Sequence, residues 1–252
     1  MERVLQKSRS WMIAHDDAYL VSDQSARFDA LVQQRKNGQP MAYLIGEREF
    51  LGRMFLVSPA VLIPRPETEL LVETGLACLG SQQSANVLDL GTGSGIIAIS
   101  LACSRPGLTV MATDISEAAL VVASANAATH HVQIEYRLGS WFQAVPVGMQ
   151  FDLIVSNPPY IREGDQHLAE GDLRHEPRVA LTDGADGLSA IREIADGVQR
   201  HLKPGGWLWV EHGYDQAEEV RSIFNQYGLR GIESKTDLAG IPRMTGGRLL
   251  SQ

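Results

Sequence analysis

The stretch NVLDLGTGSGIIAIS, residues 86–100, joins two apolar runs through Gly91, Gly93 and Gly95. Asn86 to Leu90 reads as a strand buried on both faces, and the run from Ile96 as a helix lying against it. Glycines let the backbone turn sharply and approach a ligand, while the first turn of a helix offers amides without intrahelical partners. The spacing is G-x-G-x-G, with Ile96 where a dinucleotide fingerprint has its third glycine. No Lys-Ser/Thr pair follows, so a nucleoside-triphosphate loop is also excluded. Asp114 ends the next apolar run, TVMATD (109–114), at the distance where a carboxylate accepts hydrogen bonds from ribose hydroxyls. Gly91, Thr92, Gly93, Ser94, Gly95 and Asp114 therefore form a candidate site for an adenosyl ligand without phosphates. Asp89 is expected to hold that ligand's ammonium group, directly or through water. The bland alternative is a tight turn, with Asp114 capping the helix that starts near Ser116.

Outward from this stretch the chain alternates strand and helix. TELLVETGLACLG (68–80), SEAALVVASANAATH (116–130), LSAIREIADGVQRHL (188–202) and DQAEEVRSIFNQYG (215–228) read as helices. QIEYRL (133–138), FDLIVS (151–156) and WLWVEHG (207–213) read as strands, with weaker strands expected at 231–235 and 247–250. Such alternation implies an α/β fold, a mostly parallel sheet covered by helices on both faces. Upstream, Phe28, Leu31 and Val32 recur at helical spacing before Gly38 and Pro40, which suggests a small helical module over residues 1–45. Residues 46–66 read as a β-hairpin linker, with β-prone segments at 50–57 and 61–63, and residues 67–252 as the main domain. The loop from Ile161 to about Gly187 is longer than a connection needs and is expected to be a lid or substrate-binding loop.

The chain has 252 residues and a formal net charge of -8, from 22 basic and 30 acidic side chains. That balance carries no electrostatic footprint for non-specific binding to nucleic acid or an anionic membrane. Two cysteines, Cys78 and Cys103, make neither a disulfide framework nor a metal site. No stretch reaches the roughly 20 apolar residues of a membrane span, so a cytoplasmic protein is expected.

The run FDLIVS ends in Asn157, Pro158, Pro159 and Tyr160. If this strand lies beside NVLDL, Asn157 and the glycine loop share the crevice at the carboxyl ends of the strands. Asn157 supplies a side-chain carbonyl, Pro158 a main-chain carbonyl whose direction the two prolines fix, and Tyr160 a flat face. Two such acceptors fit the two hydrogens of a planar NH2 group. Methyl transfer to such a nitrogen needs alignment, and acceptors aimed at its N–H bonds stabilise the charge that develops on it. These residues do not separate a glutamine amide from the amine of a base.

DLGTGSG, ATD and SNPPY, in this order, resemble the class I S-adenosylmethionine-dependent methyltransferases. With IPRPETE (63–69), HEPRVAL (175–181), EHG (211–213) and a preceding helical module, the chain from about Ser10 resembles the protein-glutamine methyltransferases that modify peptide chain release factors, the HemK/PrmC type. The resemblance implies a Rossmann-like, seven-stranded sheet and S-adenosyl-L-methionine as cofactor. By it, Gly91 to Gly95 wrap the cofactor's methionine part, Asp114 holds the ribose and Trp141 flanks the adenine. Asn157 contacts cofactor and acceptor, and Asn157 to Tyr160 bind the glutamine of a Gly-Gly-Gln loop. The helical module becomes a substrate-docking element, shorter than the family's usual one, of a monomer without a stable nucleic-acid partner. Ser140 stands where relatives commonly carry an acidic residue, and GIPRMTGGR matches the family only loosely, so Arg243 receives no role. The alternatives are an adenine- or guanine-amine methyltransferase on DNA or RNA, and a non-catalytic cofactor-sensing or docking protein.

Other polar residues are expected to be structural or peripheral. Arg65, Glu67 and Glu69 suit either a contact over the cofactor or a helix start. Glu211 and His212 fall at the same sheet edge and are placed to line the pocket. Glu176 and Arg178 are expected to fasten the long loop by an ion pair. Trp207 and Trp209 are read as core, and His130, His131, His167, His175 and His201 lack metal-ligand spacing.

Overall fold

The computed structural model describes residues 1–250. Four helices open the chain: α1 (Glu2–Leu5), α2 (Arg9–Ala14), α3 (Ser22–Lys36) and α4 (Met41–Ile45). A two-stranded hairpin follows, β1 (Glu47–Phe50) and β2 (Arg53–Leu56), with Phe50 opposite Arg53. The second β-prone segment, 61–63, forms no strand. Two prolines follow it, at 64 and 66, and deprive the backbone of the donors that a ladder requires.

A 3-10 turn, Pro66–Thr68, leads into α5 (Glu69–Cys78). The remainder runs β3 (Ala85–Leu90), α6 (Ile96–Ser104), β4 (Leu108–Asp114), α7 (Glu117–Thr129), β5 (Glu135–Leu138), β6 (Phe151–Ser156), α8 (Ser189–His201), β7 (Leu202–Glu211), α9 (Ala217–Gln226), β8 (Arg230–Thr236) and β9 (Pro242–Arg248). The seven-stranded sheet has the order β5-β4-β3-β6-β7-β9-β8. Only β9 runs against its neighbours, pairing antiparallel with β7 and β8. Among the described residues no helix is long and apolar enough to cross a membrane.

Alternation along the strands builds the two layers. Val87, Leu153, Val155 and Trp209 point to the face covered by α5 and α6, while Leu88, Leu90, Ile154, Leu208 and Val210 point to the face covered by α8 and α9. Each fully buried aliphatic side chain contributes about 1.5–3 kcal/mol relative to exposure. Strand order reverses between β3 and β6, which pair in parallel with Asp89 beside Val155 and Leu90 beside Ser156. The loops after these two strands therefore open onto one crevice, where ligands bind in such sheets.

Candidate active site

The glycine loop connects β3 to α6 with φ of 71° at Gly91, 57° at Gly93 and 83° at Gly95, values at which a side chain would be strained. A Cβ on Gly91 would lie 3.3 Å from the Trp141 ring, whereas one on Gly93 would meet no atom within 4 Å. Asp114 braces the loop: Oδ2 accepts from the Gly93 amide at 2.8 Å and Oδ1 from the Ser116 amide at 2.8 Å. Burial pushes its carboxyl above the usual range, with these amide bonds opposing the shift. Asn126 of α7, fully buried, donates to Leu56 O and Ser94 O and accepts from the Leu56 amide, which ties the hairpin to the glycine loop.

A cavity of about 260 Å³ lies over this loop. Its walls bring together Gly91, Thr92, Gly93, Ser94, Asp114 and Trp141 with Asn157 and Pro159, and Ser140 also reaches it. Gly95 lies outside the wall, where a Cβ would fall 2.9 Å from Ile99 and 3.2 Å from Ala123. Trp141 has φ of 44°, in the left-handed region that non-glycine residues rarely adopt. Pro158 is buried, and neither it nor Tyr160 lines the cavity. Asp89 differs from the sequence expectation: it is fully buried, away from the cavity wall, and its Oδ2 accepts from Thr92 Oγ1 at 2.7 Å and the Ala98 amide at 3.2 Å. Its other oxygen has no hydrogen-bond partner, and burial raises the carboxyl to about 7. Its bonds brace the glycine loop from behind the cavity wall.

Ala60 to Arg65, apart from Ile63, and Pro177, Val179, Ala180, Thr182 and Asp183 of the long loop close the cavity from above. Glu176 is not paired with Arg178 as the sequence suggested. It accepts from the Arg65 guanidinium and, at 2.9 Å, from the Ile63 amide, whereas Arg178 pairs with Glu163. The chain direction explains the difference: Pro177 separates Glu176 from a 3-10 turn, Arg178–Ala180, that leaves the two side chains with different partners. Asp183 accepts from the amides of Ala185, Gly187 and Ser189 and from Ser189 Oγ, so the loop runs into the start of α8 in a defined shape.

Three polar residues sit behind Asn157. Its Nδ2 donates to Thr68 Oγ1 at 3.1 Å, and Thr68 donates to Glu211 Oε2 at 2.7 Å. Tyr160 donates its hydroxyl to Glu211 Oε1 at 3.3 Å. Among the described residues no group donates to the Asn157 side-chain oxygen. Thr68 and Asn126 escaped the sequence reading. Thr68 lies inside IPRPETE and was legible as part of that motif, while Asn126 gives no local signal. His212 is structural, with Nε2 2.8 Å from Thr245 Oγ1 and Nδ1 2.8 Å from Gly213 O.

A G-x-G-x-G loop braced by the acidic end of the next strand, facing an Asn-Pro-Pro-Tyr strand end across the switch point, defines a class I methyltransferase. Family models match accordingly: a Methyltransferase small domain over residues 66–184 and a PrmC N-terminal domain over residues 1–46. The release factor glutamine methyltransferase of Bordetella pertussis is 52% identical over 98% of this chain and 92% of its own length. That of Neisseria gonorrhoeae is 47% identical over 99% and 91%. Among solved structures, ribosomal protein L11 methylase from Lactobacillus delbrueckii subsp. bulgaricus shares the fold with a TM-score of 0.55 at 22% identity, over 73% of this chain and 80% of that one. A Thermus thermophilus 16S rRNA N2 G1207 methyltransferase, in complex with AdoMet and guanosine, does so with 0.58 at 19% identity, over 81% and 49%. The chain belongs to the family of release factor glutamine methyltransferases.

Proposed function

We propose that the protein transfers a methyl group from S-adenosyl-L-methionine to the side-chain amide nitrogen of the glutamine in the Gly-Gly-Gln motif of a peptide chain release factor. The observation that carries this reading is Asn157, its side-chain oxygen unpartnered, among the residues that line the cavity with Gly91 to Ser94 and Asp114, in a chain so similar to release factor glutamine methyltransferases. The residues present fit the cofactor. Gly93 leaves open space where a side chain would stand, Asp114 offers carboxylate oxygens to ribose hydroxyls, and Trp141 offers an aromatic face to adenine.

When bound, the cofactor supplies an electrophilic methyl group on sulfonium sulfur. The chain's own part is alignment and charge stabilisation. Asn157 Oδ1 and the Pro158 carbonyl take the two N–H bonds of the glutamine amide, pointing its nitrogen at the cavity. Methyl transfer would break the methyl–sulfur bond, leave its electron pair on sulfur and place positive charge on the nitrogen, which the same two acceptors stabilise until a proton leaves to water. Tyr160, held by its hydroxyl on Glu211, packs against the flat face of the amide group, and Pro159 stands at the cavity wall beside it. Val61, Leu62, Pro177 and Val179 keep water from the cofactor side.

On this reading residues 1–45 dock the substrate, 46–66 are a hairpin linker and 67–252 are the catalytic domain of a cytoplasmic monomer without a stable nucleic-acid partner. The ion pair of Arg35 in α3 with Asp172 of the long loop, at 3.0 Å, supports a link between docking module and active site. Incubation with labelled S-adenosyl-L-methionine and a release factor is expected to label one glutamine. Label surviving Gln→Ala in Gly-Gly-Gln, or appearing only in DNA or RNA, would overturn the substrate assignment.

A further inference from the structure

Glu211 is 3% exposed, and among the described residues its carboxylate makes no ion pair. Arg243, the cation near it, is engaged with Asp237 at 2.7 Å, and Glu67 adds a second negative charge nearby. Burying a carboxylate without a cation is costly, and an apolar side chain of similar volume would be more stable there. The two oxygens of this carboxylate reach both ends of the Asn157–Tyr160 segment: Oε1 directly to Tyr160, Oε2 through Thr68 to Asn157.

We propose that Thr68 and Glu211 are positioning residues that fix which end of the Asn157 amide faces the acceptor nitrogen. The proposal rests on the reading of Asn157 given above. A threonine hydroxyl has one proton. Because that proton goes to Glu211 Oε2, Thr68 Oγ1 can only accept from the side chain on its other flank. Asn157 must then present Nδ2 to Thr68, which turns Oδ1 the opposite way, onto the cavity wall. With the amide reversed, the site would offer two N–H donors to a substrate that itself brings N–H donors, and transfer would fail for want of an acceptor. Thr68 is fully buried on the 3-10 turn Pro66–Thr68, so the IPRPETE motif has two jobs: Arg65 clasps the long loop and Thr68 orients the reacting end.

The test compares Thr68→Val, which keeps shape and removes the hydroxyl, with Thr68→Ser, which keeps the hydroxyl. Thr68→Val is expected to lower kcat about 100-fold, with the KM for the release factor and the Kd for S-adenosyl-L-methionine little changed, and Thr68→Ser to recover most of the rate. A Thr68→Val enzyme with kcat within about twofold of the parent, or a rate loss that Thr68→Ser shares in full, would overturn the relay. The ratio is measured on whichever acceptor the parent enzyme methylates, so a parent active only on nucleic acid sinks the release-factor reading and leaves this comparison standing. The side-chain amide NMR signals of Asn157, assigned by their loss in Asn157→Ala, read the contact with no acceptor present. They are expected to shift in Thr68→Val and to stay in Thr68→Ser; signals unmoved in Thr68→Val would overturn the relay independently of any activity.

Discussion

Glu176 and Arg65 meet across 111 residues of chain, and the carboxylate has no exposed surface of its own. The pair brings the segment before α5 onto the loop after β6, so two otherwise independent stretches become a single roof over the cavity. Glu176 also accepts from the Ile63 amide, which fixes the backbone of that segment as well as its side chain.

Removing this clasp should loosen the roof more than the core. Glu176→Ala is expected to cost about 1–3 kcal/mol of stability, since it strands the Ile63 amide while Arg65 retains some solvent. The Kd for S-adenosyl-L-methionine is expected to rise about tenfold, as the roof must then be ordered on binding. Titration calorimetry of the variant, beside its thermal unfolding, checks both; an unchanged Kd would show that the roof needs no clasp.

Asp114→Asn retains the shape of the side chain but has one oxygen where two amides now donate. Cofactor affinity is expected to fall by about 10- to 100-fold, from the lost ribose acceptor together with the loosened Gly93 amide. An affinity within a factor of two of the parent would place the ribose elsewhere.

Asn157→Ala should separate binding from chemistry. Asn157 lines the cavity and is read as aligning the acceptor nitrogen, so cofactor Kd is expected to change little while kcat falls by about 100-fold or more, the loss typical of one acceptor aimed at developing charge. Equal losses in both quantities would make Asn157 a cofactor residue first.

Glu211 gives activity and stability opposite pH dependences. Burial raises its carboxyl from 4.5 to about 7, against the bonds from Thr68 and Tyr160, with Glu67 raising it further and Arg243 lowering it. The folded state therefore holds this proton more tightly than the unfolded chain, so its stabilising contribution is complete below about pH 4.5 and is lost as pH rises to about 7. Thermal unfolding of Glu211→Gln against the parent should show the variant gaining relative stability across that interval, by about 3 kcal/mol in total. Activity runs the other way: a protonated Glu211 can donate to Thr68 and release the constraint on Asn157, so kcat is expected to fall as pH drops through about 7. Glu211→Gln should flatten that acid limb; a limb of the same midpoint in the variant would assign it to another group.

The parts of this molecule that sequence reading reached are those written in continuous letters. The strand, glycine loop and helix of 86–100, Asp114 at the next strand end and the Asn-Pro-Pro-Tyr stop after β6 are local patterns, and alternation of apolar runs places β3 and β6 in one sheet. What it missed depends on folding distant residues together. Asn157 meets Thr68 at a separation of 89 residues and Thr68 meets Glu211 at 143, and no periodicity links such positions. Asp89 misled because a carboxylate beside a ligand loop looks like a ligand group; only burial shows it turned into the loop's own hydroxyl and amide. The segment 61–63 misled because β-branched composition marks burial as well as strands, and here Val61 and Ile63 are buried beside the cavity roof.

The place of β9 in the sheet bears on how the protein is made. It lies between β7 and β8, with Met244 beside Glu211 and Gly246 against the Trp209 ring. During synthesis β8 emerges first yet has no strand to join, and β7 keeps an open edge until residues 242–248 clear the ribosome. The end of β7, and with it the carboxylate that steadies Asn157, is therefore completed only after β8 has already been translated. A ribosome stalled short of β9 would hold a chain with its glycine loop formed and its acceptor side unfinished.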